Sequence, residues 1–307
     1  MKLKTKNLLT LAELTPKEFV GLINDSIKLK KELKKNGNKP ILKNKTLAMI
    51  FQKPSTRTRV SFEVGMYQLG GHAVNLSSND TQLSRGESVE DTAKTLSRYT
   101  NCIMARVYDH ELLEKLSQHA TVPVINGLSD SFHPCQILAD FLTIKEKKKK
   151  INGLKIAWIG DGNNVCNSMI YGAALAGSSM SIATPKEFQP DKKVVKEAKK
   201  STDIELTLDP FQAVKNADVV VTDTYSSIHN NDLNRIKKFL PKYQVNSKLM
   251  KSAKNDAIFL HCLPAKREQE VTSSVIDGSQ SVVWDEAENR LHTQKALLSA
   301  LIHAERI

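Results

Sequence analysis

Along most of the chain, short apolar runs rich in β-branched residues alternate with longer stretches whose apolar positions recur at helical spacing. A strand buried on both faces needs a nearly continuous apolar run, and a helix lying on it needs one apolar stripe. In the first half, strands are expected at 46–51, 72–76, 102–107 and 122–127, with helices at 56–69, 89–99 and 111–119 between them. Ser88 and Asp91 form a capping-box start for the helix at 89–99, and Gly70-Gly71 stops the one at 56–69.

A long helix from about His133 runs into the cluster Lys145–Lys150, where a domain boundary is placed. Strands resume at 155–160, 180–184, 204–208, 218–222 and 257–263, and the tail, 290–305, carries leucines and isoleucines at helical spacing. The expectation is an α/β protein: two doubly wound parallel-sheet domains, a cleft between them, linked by interdomain helices. The first spans 1–148 and is joined by the terminal helix, about 290–307; the second spans 149–289. Ligands of such sheets sit at the carboxyl ends of the strands.

Composition narrows the class. With 307 residues, 40% hydrophobic and 25% charged, the chain is ordinary globular material for two domains. The start, M-K-L-K-T-K-N-L-L-T, has no apolar run of signal-peptide length, and no stretch is long enough to span a bilayer. A cytoplasmic protein without a membrane partner is expected. Cys102, Cys135, Cys166 and Cys262 form no C-x-x-C pair, which argues against disulfides and structural zinc. The net charge of +12 lies largely in surface-type lysine clusters, with no nucleic-acid-binding motif beside it. It is read as surface charge with some attraction for anionic substrates.

The most informative segment is K-P-S-T-R-T-R-V-S-F-E at 53–63. An apolar strand ends at Phe51, Pro54 breaks it, and a helix begins near Ser55 or Thr56. The N–H groups and dipole of a helix start favour an anion. Thr56 and Thr58 add hydroxyls, and Arg57 adds a guanidinium fork suited to phosphate. The segment lacks the P-loop pattern. G-D-G-N-N-V at 160–165 approaches a dinucleotide fingerprint, but Val165 stands where the third glycine belongs, so no NAD is expected.

S-T-R-T-R-V-S-F-E resembles the carbamoyl-phosphate signature of the aspartate/ornithine carbamoyltransferases. Further matches follow in that family's order: D-T-Q-L-S-R-G-E-S at 80–88, Arg106, H-P-C-Q at 133–136, G-D-G-N-N at 160–164, Asp223, H-C-L-P at 261–264 and D-E-A-E-N-R-L-H at 285–292. H-P-C-Q and H-C-L-P are similar to the ornithine branch, since the aspartate enzymes carry H-P-T-Q and H-P-L-P there. The resemblance implies transfer of the carbamoyl group of carbamoyl phosphate to the δ-amine of ornithine, giving citrulline and phosphate, as in arginine synthesis. It implies no metal or organic cofactor, and a homotrimer or a multiple of trimers.

Residue roles follow from the resemblance. Carbamoyl phosphate is held by Ser55, Thr56, Arg57, Thr58, Gln82, Arg106, His133, Gln136, Cys262, Leu263 and Arg290, with Gln82 reaching a neighbouring subunit's site. Thr58, Arg106 and His133 stabilise the oxyanion, and Cys262 sits beside the reacting amine. His261 and Cys262, adjacent on a strand, point to opposite faces, so a covalent role for Cys262 is not expected. Ornithine is held by Asn164, Asp223, Ser227 and Ile228. Ile228 and His229 stand where the family has Met and Gly, which keeps open a carbamoyltransferase for another amine, such as putrescine or a modified ornithine. A catalytically silent scaffold relative would be expected to lack Arg106, His133 or Cys262; all three are present.

Overall fold

The protein, seen here as a computed structural model, is described at residues 2–77, 81–225 and 233–302, the side chain of Leu233 excepted. It forms two compact units: the chain up to Leu142 together with the segment from Glu288 on, and Thr143–Ala287. Among the described residues no helix is long and apolar enough to cross a membrane.

The first unit opens with α1 (Pro16–Asn36), which the apolar pattern alone does not reveal. Its start is nevertheless written locally. Thr15 accepts the Glu18 amide hydrogen, the Glu18 carboxylate accepts that of Thr15 at 2.9 Å, and Pro16 fits the first turn. There follow β1 (Thr46–Phe51), α2 (Thr56–Gln68), β2 (His72–Ser77), α3 (Val89–Tyr99), β3 (Cys102–Arg106), α4 (His110–His119), β4 (Val124–Leu128) and α5 (Pro134–Lys148). Ends differ from the sequence expectation by a residue or two. Pro123, which has no N–H to give a ladder, delays β4 to Val124.

The sheet order is β2-β1-β3-β4, all parallel. The chain therefore winds outward in both directions from the β1–β3 pair, and the carboxyl ends of those two strands form the switch point. Phe51 lies opposite Arg106 there. Beneath, Ala48, Ile50, Ile103, Ala105, Leu113, Leu116 and Val124 share one buried cluster, each large side chain contributing about 1.5–3 kcal/mol.

The second unit contains β5 (Lys155–Ile159), α6 (Asn164–Ala176), β6 (Ser179–Ala183), α7 (Lys192–Ala198), β7 (Ile204–Thr207), α8 (Pro210–Val214), β8 (Val219–Thr222), α9 (Leu233–Lys237), α10 (Ser247–Met250), β9 (Ile258–His261) and α11 (Ser273–Ile276). Its parallel order is β7-β6-β5-β8-β9, so its switch point lies between β5 and β8, where Ile159 faces Thr222. Tyr225 stacks on Phe239 at 4.4 Å in the core below.

The chain passes from the first unit to the second within α5 and returns within α12 (Val283–Ile302). The tail helix thus begins well before the expected residue 290. Its first half carries buried polar residues (Glu286, Asn289, Arg290 and His292 among them), which erase the apolar stripe from the sequence.

Candidate active site

In the first unit, Ser55 is the N-cap of α2. Its hydroxyl accepts the Thr58 amide hydrogen at 3.2 Å. The anion-attracting helix start is therefore present, with one of its amides spent on Ser55 rather than left for a ligand. Thr58 is buried, whereas Thr56 is exposed and Arg57 half-buried. Arg106 ends β3 beside this turn, and its carbonyl accepts the Gln52 amide hydrogen at 2.9 Å.

Arg290 joins them from α12. It is a mid-helix residue only 2% exposed, not a surface arginine at a helix start. Its Nη1 donates to Gln136 Oε1 at 2.7 Å and its Nη2 to Thr58 Oγ1 at 3.3 Å. Gln136 passes the restraint on, donating from Nε2 to Asp140 at 2.8 Å. The Gln136 amide is thereby an orienting bridge as well as an anticipated ligand.

His133 caps this arrangement just before α5. It is 4% exposed, and its pKa falls well below the usual 6.5, first from burial and then from Arg290, Arg106 and Arg57. The ring is neutral, so it offers one N–H donor and no charge of its own. Three guanidinium groups close enough to act on one imidazole make a strongly positive pocket, which calls for an anion carrying more than one negative charge. Lys53 adds to it: its ammonium sits 4.5 Å from the Tyr108 ring centroid, its pKa lowered by burial and then by Arg106. Lys53 lies within the conspicuous motif, yet its involvement is visible only in the fold. Gln82 lies apart, exposed, at the start of a 3-10 turn spanning Gln82–Arg85.

In the second unit, the switch point collects acids and amides. Asp223 follows β8 and is 6% exposed. Its Oδ1 accepts the Thr224 amide hydrogen at 2.8 Å and the Cys262 thiol at 3.1 Å, and its Oδ2 accepts Asn163 Nδ2 at 2.7 Å. Asn163, not singled out from the sequence, also caps α6, while Asn164 begins that helix, half-buried. Asp161 pairs with Arg235, which lies over the Phe188 ring at 4.3 Å. Burial raises the Asp161 carboxyl to about 6 despite that partner, with Asp223 adding to the rise.

The H-C-L-P segment leaves β9 at the same end. His261 is fully buried at the end of β9, and Cys262 follows just beyond the strand, so the alternation expected of neighbours on one strand does not separate them. The His261 Nδ1 accepts the Leu263 amide hydrogen at 2.9 Å, which leaves the hydrogen on Nε2, 3.2 Å from Glu270 Oε1. Leu263 has φ +57°, a left-handed conformation that costs about 1–2 kcal/mol for a residue with a Cβ. The His261 contact holds it there.

Asp223, His261 and Cys262 bring ligand atoms within 4.8 Å of one another, the one such group among the described residues. Both His261 nitrogens are committed to Leu263 and Glu270, so the set fits a metal poorly. Ser227 and Ile228, expected beside ornithine, lie outside the described residues, as does His229.

Residues 6–146 match the family "Aspartate/ornithine carbamoyltransferase, carbamoyl-P binding domain", and residues 152–301 match the "Asp/Orn binding domain" of the same family. A protein of Cenarchaeum symbiosum named ornithine carbamoyltransferase is 60% identical over 301 residues, covering 98% of this chain and 99% of its own length. The solved ornithine carbamoyltransferase of Pyrococcus furiosus superposes with a TM-score of 0.93 at 51% identity, covering 96% of each chain. The structure described as the anabolic ornithine carbamoyltransferase of Campylobacter jejuni gives 0.90 at 44% identity, covering 98% of this chain and 99% of that one.

Proposed function

The chain belongs to the aspartate/ornithine carbamoyltransferase family, and on that footing we propose that it transfers the carbamoyl group of carbamoyl phosphate to the δ-amine of L-ornithine, giving L-citrulline and phosphate. The observation that carries this beyond kinship is the convergence of Arg57, Arg106 and Arg290 on the neutral His133. Such a pocket suits the phosphate dianion and carbonyl of carbamoyl phosphate together.

In this reading the first unit binds carbamoyl phosphate through the α2 start, Arg57, Arg106 and Arg290. Arg106, Thr58 and the His133 N–H stabilise the carbamoyl oxygen as it becomes an oxyanion. A neutral imidazole suits that task, since it donates without having to give up a proton. Gln136 keeps the Arg290 fork in plane. The second unit receives ornithine: Asp223 pairs with the α-ammonium, Asn164 meets the amino-acid end, Cys262 sits beside the reacting amine, and the Leu263 carbonyl grips the carbamoyl amide.

The δ-ammonium of ornithine resembles that of lysine, near 10.4, and must lose a proton before attack. The departing phosphate is the base at hand, because its basicity rises as the C–O bond breaks. Attack forms the new C–N bond, phosphate leaves with the electron pair of the C–O bond, and citrulline results. Orientation and preorganised charge account for most of the rate gain.

The relatives named anabolic favour the citrulline-forming direction. Trimeric assembly, with Gln82 of one subunit serving a neighbour's pocket, accords with the exposure of Gln82. A cytoplasmic setting accords with the four cysteines being free thiols. The test is citrulline-type product formation from carbamoyl phosphate with ornithine, putrescine, N-acetylornithine or aspartate as acceptor. Strong preference for ornithine is expected. Preference for putrescine or N-acetylornithine would reassign the acceptor and leave the carbamoyl phosphate pocket standing.

A further inference from the structure

Two asparagines end the G-D-G-N-N turn, and Asn163 performs two separate jobs with the two ends of one amide. Its Oδ1 accepts the amide hydrogens of Val165 at 3.0 Å and Cys166 at 3.1 Å, which starts α6. Its Nδ2 donates to Asp223 Oδ2 at 2.7 Å. The first job is common property: Ser, Thr and Asp cap a helix as well as Asn does. The second is not, because only Asn supplies a cap acceptor and an N–H donor to a carboxylate together.

Asp223 needs that donor. It is 6% exposed, and a buried carboxylate needs hydrogen-bond donors on both of its oxygens. Three donors supply them, and they divide the carboxylate cleanly. Thr224 N–H and the Cys262 thiol take Oδ1, and among the described residues Asn163 alone takes Oδ2. Two fixed oxygens leave the carboxylate plane one orientation.

We propose that Asn163 is a positioning residue for the amino-acid end of ornithine, its Nδ2 fixing the rotamer of Asp223 so that this carboxylate meets the α-ammonium. Asn163 acts through Asp223 and does not touch the reacting δ-amine. The inference rests on the assignment of Asp223 made above, and the variants separate the two.

Asn163→Ser in the full-length enzyme keeps a cap and removes the amide N–H that reaches Asp223, leaving only a shorter hydroxyl. A hydrogen bond to a charged group is worth enough to change binding by roughly tenfold or more. The expected result is a rise of about that size in KM for ornithine, with KM for carbamoyl phosphate and Tm near the parent values. Asn163→Asp also keeps the cap but sets a second carboxylate against Asp223. It should raise KM for ornithine at least as far as Asn163→Ser does, with KM for carbamoyl phosphate again near the parent value, a split that loss of a cap would not produce. Asn163→Ser combined with Asp223→Asn should bind ornithine no worse than Asp223→Asn alone. Additive losses in the double variant would overturn the proposal. So would an unmoved ornithine KM in both Asn163 variants when Asp223→Asn raises it, whatever happens to Tm. An unmoved KM in Asp223→Asn itself would overturn the assignment of Asp223 and this inference together.

Discussion

Arg290 reaches Gln136 across 154 residues of chain, its Nη1 resting 2.7 Å from the amide oxygen. Its other arm meets Thr58 at 3.3 Å, so one guanidinium plane ties α12 to α5 and to the start of α2. A lysine ammonium is a single point of charge and lacks the planar fork that spans these two acceptors. Arg290→Lys should therefore raise KM for carbamoyl phosphate by at least about tenfold while leaving KM for ornithine nearly unchanged. Saturation kinetics with each substrate in turn decide it; equal effects on both would remove Arg290 from the phosphate side.

His133 and His292 are both buried and both held neutral, the first by burial and three guanidinium groups, the second by burial, down to about 4. In the unfolded chain each titrates near 6.5. Below that pH the unfolded state takes up protons that the folded state refuses. The contribution of these histidines is thus complete above pH 6.5 and is lost as pH falls toward 4. Tm should drop over this window, and His292→Leu should make the slope shallower. Parallel slopes in calorimetry would show that His292 is not held neutral.

Gly162 illustrates close approach rather than a nucleotide turn. A Cβ there would stand 2.3 Å from Pro190 N, 2.5 Å from Gln189 C and 2.5 Å from Phe188 O, all backbone atoms. Backbone cannot swing aside as a side-chain tip can. Gly162→Ala should cost about 1–3 kcal/mol or more and disturb the Asn163 cap next to it. Denaturant unfolding gives the cost, and a change below the lower figure would mean that the 188–190 segment yields freely.

Cys262 donates to Asp223 rather than being activated by His261, whose nitrogens face Leu263 and Glu270. Cys262→Ala should lower kcat/KM for ornithine by roughly tenfold, and Cys262→Ser, which keeps a donor, by less. Mass spectrometry of enzyme quenched during turnover should find an unmodified thiol. A carbamoylated Cys262 would replace direct transfer with a covalent route.

The alternation of apolar strands and amphipathic helices made both sheets legible, because parallel strands buried on two faces leave continuous runs such as 46–51 and 102–106. Of the proposed phosphate pocket only Ser55–Thr58 stands out in the same way, as a polar turn after one strand. What sequence could not give was coupling at a distance. Arg290 was identified by resemblance, but its burial among Thr58 and Gln136 depends on a helix whose early turns are polar. Asn163 looked interchangeable with Asn164, and only the position of β8 beside β5 separates them. α1 was overlooked although T-P-K-E at 15–18 spells its start, because its lysine-rich length blurs the apolar face.

The first unit is built from both ends of the chain. A ribosome making about 5–20 residues per second needs roughly seven to thirty seconds to travel from Leu142 to Glu288. During that interval the α2 start, Arg57, Arg106 and His133 already exist, but the third guanidinium does not. The second unit, contiguous in sequence, is complete once Ala287 has been made. The third guanidinium of the proposed carbamoyl phosphate pocket is thus among the last parts the nascent chain acquires.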